Sequence, residues 1–220
     1  ETGDLLTVYS FQSGTQEGSY FNYPTGMRVF RITHQEGGAK AEEITEFANL
    51  LNYAGCSIRI TGQKGIRMIT GIDQNVKKSL INKKGLAGYT LLEYGTVVQW
   101  ADDLGSKTLN LDNSSKHSYA YKKGKADPVF AKVDGMVQYT NVLVGFKDSQ
   151  LEPDLVMRPY IKLKDIATGE TVTLYGGCVT RSIGYVAWQN RNTYKEGTAS
   201  YKYVWGIIDK IEDTSKYPTN

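Results

Sequence analysis

Two histidines and two cysteines are all the imidazole and thiol chemistry that this 220-residue chain carries. That count excludes a multi-cysteine zinc site or a disulfide-dense scaffold. No G-x-S-x-G elbow, H-E-x-x-H helix, glycine-rich phosphate loop or C-x-x-C pair occurs in it. The familiar signatures of hydrolases, metalloproteases, nucleotide-binding domains and thiol oxidoreductases are therefore missing. Long apolar runs are missing too, since none approaches the ~20 residues that a helix needs to span a bilayer. Charge of one sign is equally scarce. The net charge is only +3, and the lysine pairs Lys77-Lys78, Lys83-Lys84 and Lys122-Lys123 do not extend into a basic stripe. They read as solvated faces, and nucleic acid is not an expected partner. Neither a signal peptide nor a wall anchor is visible, as expected of a mature or excised segment.

What the chain has in plenty is tyrosine, 16 residues, and glycine, 23 residues. Both suit strands joined by tight turns and exposed recognition loops. The length favours one large domain. The clearest pattern is Asn52 to Ile72, NYAGCSIRITGQKGIRMITGI. There Ile58, Ile60, Ile66 and Met68 alternate with Ser57, Arg59, Thr61 and Arg67 on either side of Gly62-Gln63-Lys64-Gly65. Period-two alternation about a glycine-bounded turn predicts a half-buried hairpin.

Around this hairpin, strands are expected at Met27–Thr33, Tyr89–Trp100, Gly135–Phe146, Met157–Lys164 and Thr171–Tyr175, with Val97 to Trp100 deeply buried. Pro159 places the fourth of these at an edge or a bulge. Helical spacing of Ile44, Phe47, Ala48 and Leu51 predicts a helix over residues 39–52. Asp73 is suited to cap a second helix over residues 74–82, and residues 181–191 form a third. Residues 201–211 fit helix or strand. The sum is an α+β fold with an antiparallel, β-sandwich-like core and three or four short helices. Residues 1–25, with Tyr9, Phe11, Tyr20, Phe21 and Tyr23, form an aromatic and polar segment packed on the domain. Residues 26–212 are the module itself, and 213–220 a linker.

His34 and His117 could each act as a general base only with a partner the sequence does not show, so both read as surface histidines. Asn110, Asp112 and Asn113 carry oxygen ligands without a calcium-loop frame, so a turn is expected. No metal and no cofactor is implied. Cys56 and Cys178 are either one disulfide, worth roughly 4 kcal/mol across so long a loop, or two buried thiols. Interaction chemistry is better represented. Tyrosine, tryptophan and arginine amid Ser, Gly and Asn make rigid anchors, and the candidates are Tyr119, Tyr121, Trp188, Arg191, Tyr194 and Tyr201. The four tyrosines are expected to be exposed. The same groups would suit a carbohydrate-binding face for mucin or dietary glycans.

Taken in order, NLLNYAGCSIRITGQKGIRMITGI, GYTLLEYGTVVQWADDL and VMRPYIKLKDIATGETVTLYGGCVTRSIGYVAW resemble a module of large surface proteins of gut-dwelling Gram-positive bacteria. The resemblance spans about residues 26–210 and rests on Arg59 to Arg67 and Tyr175 to Ile183. Proteins carrying such modules include immunoglobulin-binding B-cell superantigens, which hold antibody variable domains outside the antigen site. The resemblance implies an extracellular, non-catalytic module of a multidomain chain whose partner is a host protein, most concretely an immunoglobulin Fab. It carries over no contact residue. Cys56 stands where a small residue such as alanine is expected, which the resemblance marks as a sign of a bridge particular to this chain.

Overall fold

The computed structural model describes residues 4–14, 21–127 and 129–217, with residues 12–14 and 21–25 by backbone alone. The expected packing of Tyr20 lies outside the described residues, and that of Phe21 and Tyr23 outside the described side chains. The first sheet is antiparallel and three-stranded, in the order β1 (Asp4–Gly14), β2 (Phe21–Gln35) and β3 (Gly38–Glu43). β2 continues without a break through residue 25. Met27 and Val29 are buried and Leu5 packs beside them, whereas Leu6 and Val8 are 50% and 47% exposed. One face of this sheet therefore meets the core and the other meets solvent.

The helix expected over residues 39–52 does not form. Residues 38–43 instead add to β2 in the register Phe30 to Glu43 and Ile32 to Ala41, and only a 3-10 turn, Thr45–Phe47, is helical. Ile44, Phe47, Leu50 and Leu51 are nonetheless all buried. The turn is tied back to β2 when Asn49 donates its backbone N–H to the Met27 carbonyl and accepts the Met27 N–H on its side chain. Pairing with β2 satisfies the backbone while burying the same apolar residues, so tertiary context overrides the local period.

The hairpin forms as expected: β4 (Asn52–Arg59) pairs with β5 (Gly65–Asp73), and Ile58, Ile66 and Met68 are buried. Its two glycines serve different ends. Gly62 turns with φ +64, while a Cβ on Gly65 would lie 1.8 Å from the Leu143 carbonyl oxygen. The Asp73 carboxylate accepts the backbone N–H groups of Asn75 and Val76, at 2.8 and 2.9 Å, capping α1 (Gln74–Ile81). There follow β6 (Tyr89–Trp100), α2 (Ala101–Leu104), β7 (Lys116–Lys122), β8 (Ala131–Val133) and β9 (Met136–Val144). β9 joins the hairpin to give a sheet in the order β4-β5-β9-β8. Val97 and Val98 are buried in β6, but Gln99 and Trp100 are only half-buried, short of the burial expected for them.

The third sheet is built on β10 (Leu155–Asp165). On one side β10 pairs with β6 along its whole length. On the other it pairs with β11 (Thr171–Tyr175) and then β12 (Val179–Arg181). Pro159 is therefore in a central strand, and not at an edge. Its carbonyl accepts the Gly176 N–H, so its missing donor faces the gap where β11 gives way to β12, and no ladder bond is lost. The chain ends in α3 (Ile183–Gln189) and α4 (Ala199–Ile208), capped by Ser182 and Thr198. Val204, Ile207, Ile208 and Ile211 are buried, which resolves the ambiguous segment as helix. Tyr217, in the stretch expected to be a linker, is buried against Tyr185 and Trp188. The described chain is thus β-rich α+β, with antiparallel sheets and four short α-helices among the described residues.

Candidate binding surface

The sequence-picked tyrosines separate on inspection of β7. The register runs Tyr94 to Tyr121 and Gly95 to Tyr119, which leaves Ala120 as an extra residue between the two pairs. A bulge of this kind turns residues two apart onto opposite faces. Tyr121 is consequently buried, 7% exposed, and stacks on Tyr94 with ring centroids 5.3 Å apart. It is a core residue, not an exposed anchor. Tyr119 is 52% exposed, with the Lys122 ammonium 5.9 Å from its ring.

The other four candidates lie on the α3–α4 segment. The Arg191 guanidinium lies 4.2 Å over the Trp188 ring and donates to the Trp188 carbonyl at 2.8 Å. Trp188 is half-buried, with Tyr217 6.4 Å away. What this end of α3 presents is therefore a guanidinium laid over an indole. Tyr194 is half-buried against the core, and Tyr201 is half-buried against Trp205 at 5.8 Å, so neither stands as free as its polar neighbours suggest. Along α4, at 100° per residue, Tyr201 and Trp205 fall on one flank of the buried stripe, and Tyr203 and Gly206 on the other.

That second flank faces the tip of the β4–β5 hairpin across a groove of about 490 Å³. The Lys64 ammonium lies 4.4 Å from the Tyr203 ring centroid, and Phe146 and Lys202 are also in the lining. Sequence reasoning passed over Lys64 and Phe146 because they lie more than eighty residues apart in two separate turns. It also missed the open face of the first sheet, where Leu6 and Val8 lie beside Arg28 and Phe30. The signal there was Leu5-Leu6, two adjacent leucines in an alternating strand, one of which must point outward.

The remaining sequence candidates lie in the following surroundings. His117 lines a 190 Å³ cavity between β5, β9, β6 and β7 whose lining contains no carboxylate and no thiol. His34 is exposed opposite Ala39 near the end of β2. Asn110 and Asn113 turn their side-chain oxygens onto backbone N–H groups at 2.8 to 3.1 Å, forming a closed turn. Among the described residues no group of three or more His, Cys, Asp or Glu could hold a metal ion. No described helix is long and apolar enough to cross a membrane.

Cys56 and Cys178 are both free thiols, packed against different core clusters, so the disulfide reading is replaced by that of two thiols. Burial pushes the Cys56 thiol up to about 11 and raises that of Cys178 as well. Neither has the depressed value that makes a nucleophile. No family model, no curated protein and no solved structure matches this chain.

Proposed function

We propose that this chain is a non-catalytic, extracellular binding module of a bacterial surface protein that engages a host protein, with an immunoglobulin variable domain as the concrete candidate. In this reading the sheets form an inert, sandwich-like scaffold and recognition lies at their periphery. The observation that carries it is the Arg191–Trp188 pair at the end of α3. The guanidinium is held over the indole and bonded to its carbonyl, so a large anchor is ordered before any partner arrives. Pre-organised aromatic and arginine anchors are what dominate protein interfaces, because little side-chain entropy remains to be lost. The sequence resemblance supplies the identity of the partner.

Biolayer interferometry of the intact chain against immunoglobulins and isolated Fab fragments tests the proposal. Saturable binding to Fab is expected, and Trp188→Ala or Arg191→Ala should each weaken it by about 2 kcal/mol, roughly thirtyfold. Flat traces at micromolar concentration with both forms would sink the reading.

A further inference from the structure

We infer that the groove between the β4–β5 hairpin tip and α4 is a binding site for an acidic sugar, a pyranose bearing a carboxylate or a sulfate. It is separate from the Arg191–Trp188 surface and does not depend on it. Lys64 comes from the hairpin tip, Lys202 from α4 and Lys210 from the turn that follows it. Lys210 pairs with Asp148 at 2.8 Å, while Lys202 has no carboxylate partner among the described residues and Lys64 rests on the Tyr203 ring. Gathering three ammonium groups in one concavity opposes folding by mutual repulsion, but it raises the local concentration of an anion.

Gly206 is the second observation. A glycine inside a helix costs about 1 kcal/mol relative to alanine, and it is normally explained by close packing. Here a Cβ would meet no atom within 4 Å, so packing does not require the glycine. Its effect is to keep the floor of the groove open between Lys202 and Lys210.

The rest of the lining selects the class of ligand. Phe146 is half-buried and supplies apolar ring surface for the C–H face of a sugar, while the Tyr203 ring holds the Lys64 ammonium. Asp148 would repel a bare phosphate, yet beside Lys210 it completes a donor–acceptor pair suited to adjacent hydroxyls. The volume, about 490 Å³, lies within the range of roughly 300–1,000 Å³ typical of small-ligand clefts.

Isothermal titration of the intact chain with 3′-sialyllactose, galactose 6-sulfate and lactose tests the assignment. At least one acidic sugar should bind about tenfold or more tightly than lactose, and its affinity should fall as salt is raised. Which of the two binds separates a carboxylate from a sulfate source. The exposed double variant Lys64→Gln/Lys202→Gln should lose about tenfold in affinity. Gly206→Leu should abolish binding without lowering the melting temperature or any Fab binding. The inference is overturned if neither acidic sugar binds at millimolar concentration, if lactose binds equally, or if the variants bind as the parent does. Tighter binding of an oligoglutamate peptide would overturn it as well.

Discussion

The Tyr9 hydroxyl accepts a hydrogen bond from Arg158 across 149 residues of chain. Arg158, in the middle of β10, is 6% exposed. It also donates to the Gly176 carbonyl at 2.7 Å and the Leu109 carbonyl at 2.8 Å, with its guanidinium 4.7 Å from the Tyr175 ring centroid. One side chain thus fastens the first sheet, the β11–β12 gap and the loop after α2 to the central strand. Arg158→Met should lower stability by about 3 kcal/mol or more, because it leaves buried acceptors unpaired, and Tyr9→Phe by about 2 kcal/mol. Urea unfolding of the two variants checks both values. Equal stability of Arg158→Met and the parent would show that these bonds contribute nothing net.

The bulge at Ala120 makes a sharp contrast between two neighbouring tyrosines. Tyr121→Ala should cost about 3–5 kcal/mol, the range for truncating a buried aromatic. Tyr119→Ala should stay within about 0.5 kcal/mol of the parent, as an exposed position does. Paired thermal melts decide this, and similar losses for both would mean that the two rings share a face.

Gly62 and Gly65 bracket one turn for different reasons, and substitution should expose the difference. Gly62→Ala is expected to cost about 1–2 kcal/mol for its left-handed backbone. There the nearest atom is the flexible end of Arg59. Gly65→Ala sets a methyl against the Leu143 carbonyl and should cost more than 2 kcal/mol by separating β5 from β9. Urea midpoints for the two variants provide the ranking.

Alkaline pH should unfold this protein in a defined direction. Burial raises the Cys56 thiol to about 11. It also raises the phenols of Tyr94, Tyr139 and Tyr160, with Asp127 and Glu93 raising Tyr94 and Tyr160 further through their hydrogen bonds. Each group keeps its proton in the folded chain to higher pH than in the unfolded one. Above the unfolded values the folded state therefore binds more protons, and stability falls as pH rises. The loss should begin near pH 9 with the thiols and steepen above about pH 10 with the phenols. Urea midpoints from pH 7 to 11 measure the slope. At pH 8 a disulfide-exchange reagent should modify both half-buried cysteines more slowly than after denaturant is added.

Much of this architecture could be read before any coordinates, because the informative elements are amphipathic with a single period. The Ile58–Ile66–Met68 face, the Asp73 cap and the β6 and β10 strands all follow from local pattern. The failures share one cause, a partner distant in the chain. Residues 39–43 head a segment whose helical spacing begins at Ile44, but they are claimed by β2. Pro159 looks like an edge residue until β11 and β12 are seen to meet beside it. Tyr121 is buried by one extra residue whose effect appears only against β6. The Trp188–Arg191 pair was legible because its two members lie three residues apart. The lysine groove was not, because residues near positions 64, 146 and 206 come together only in the fold.

The two flanks of α4 have a consequence for how weak ligands add. Under the two proposals, a partner resting on the α3 end and a sugar lying beside Gly206 would not compete for the same surface. A single glycoprotein presenting both features would then engage them together, its second contact forming at an effective concentration in the millimolar range. Avidity of that kind gives firm adhesion from two modest affinities, and it is lost when either contact is removed.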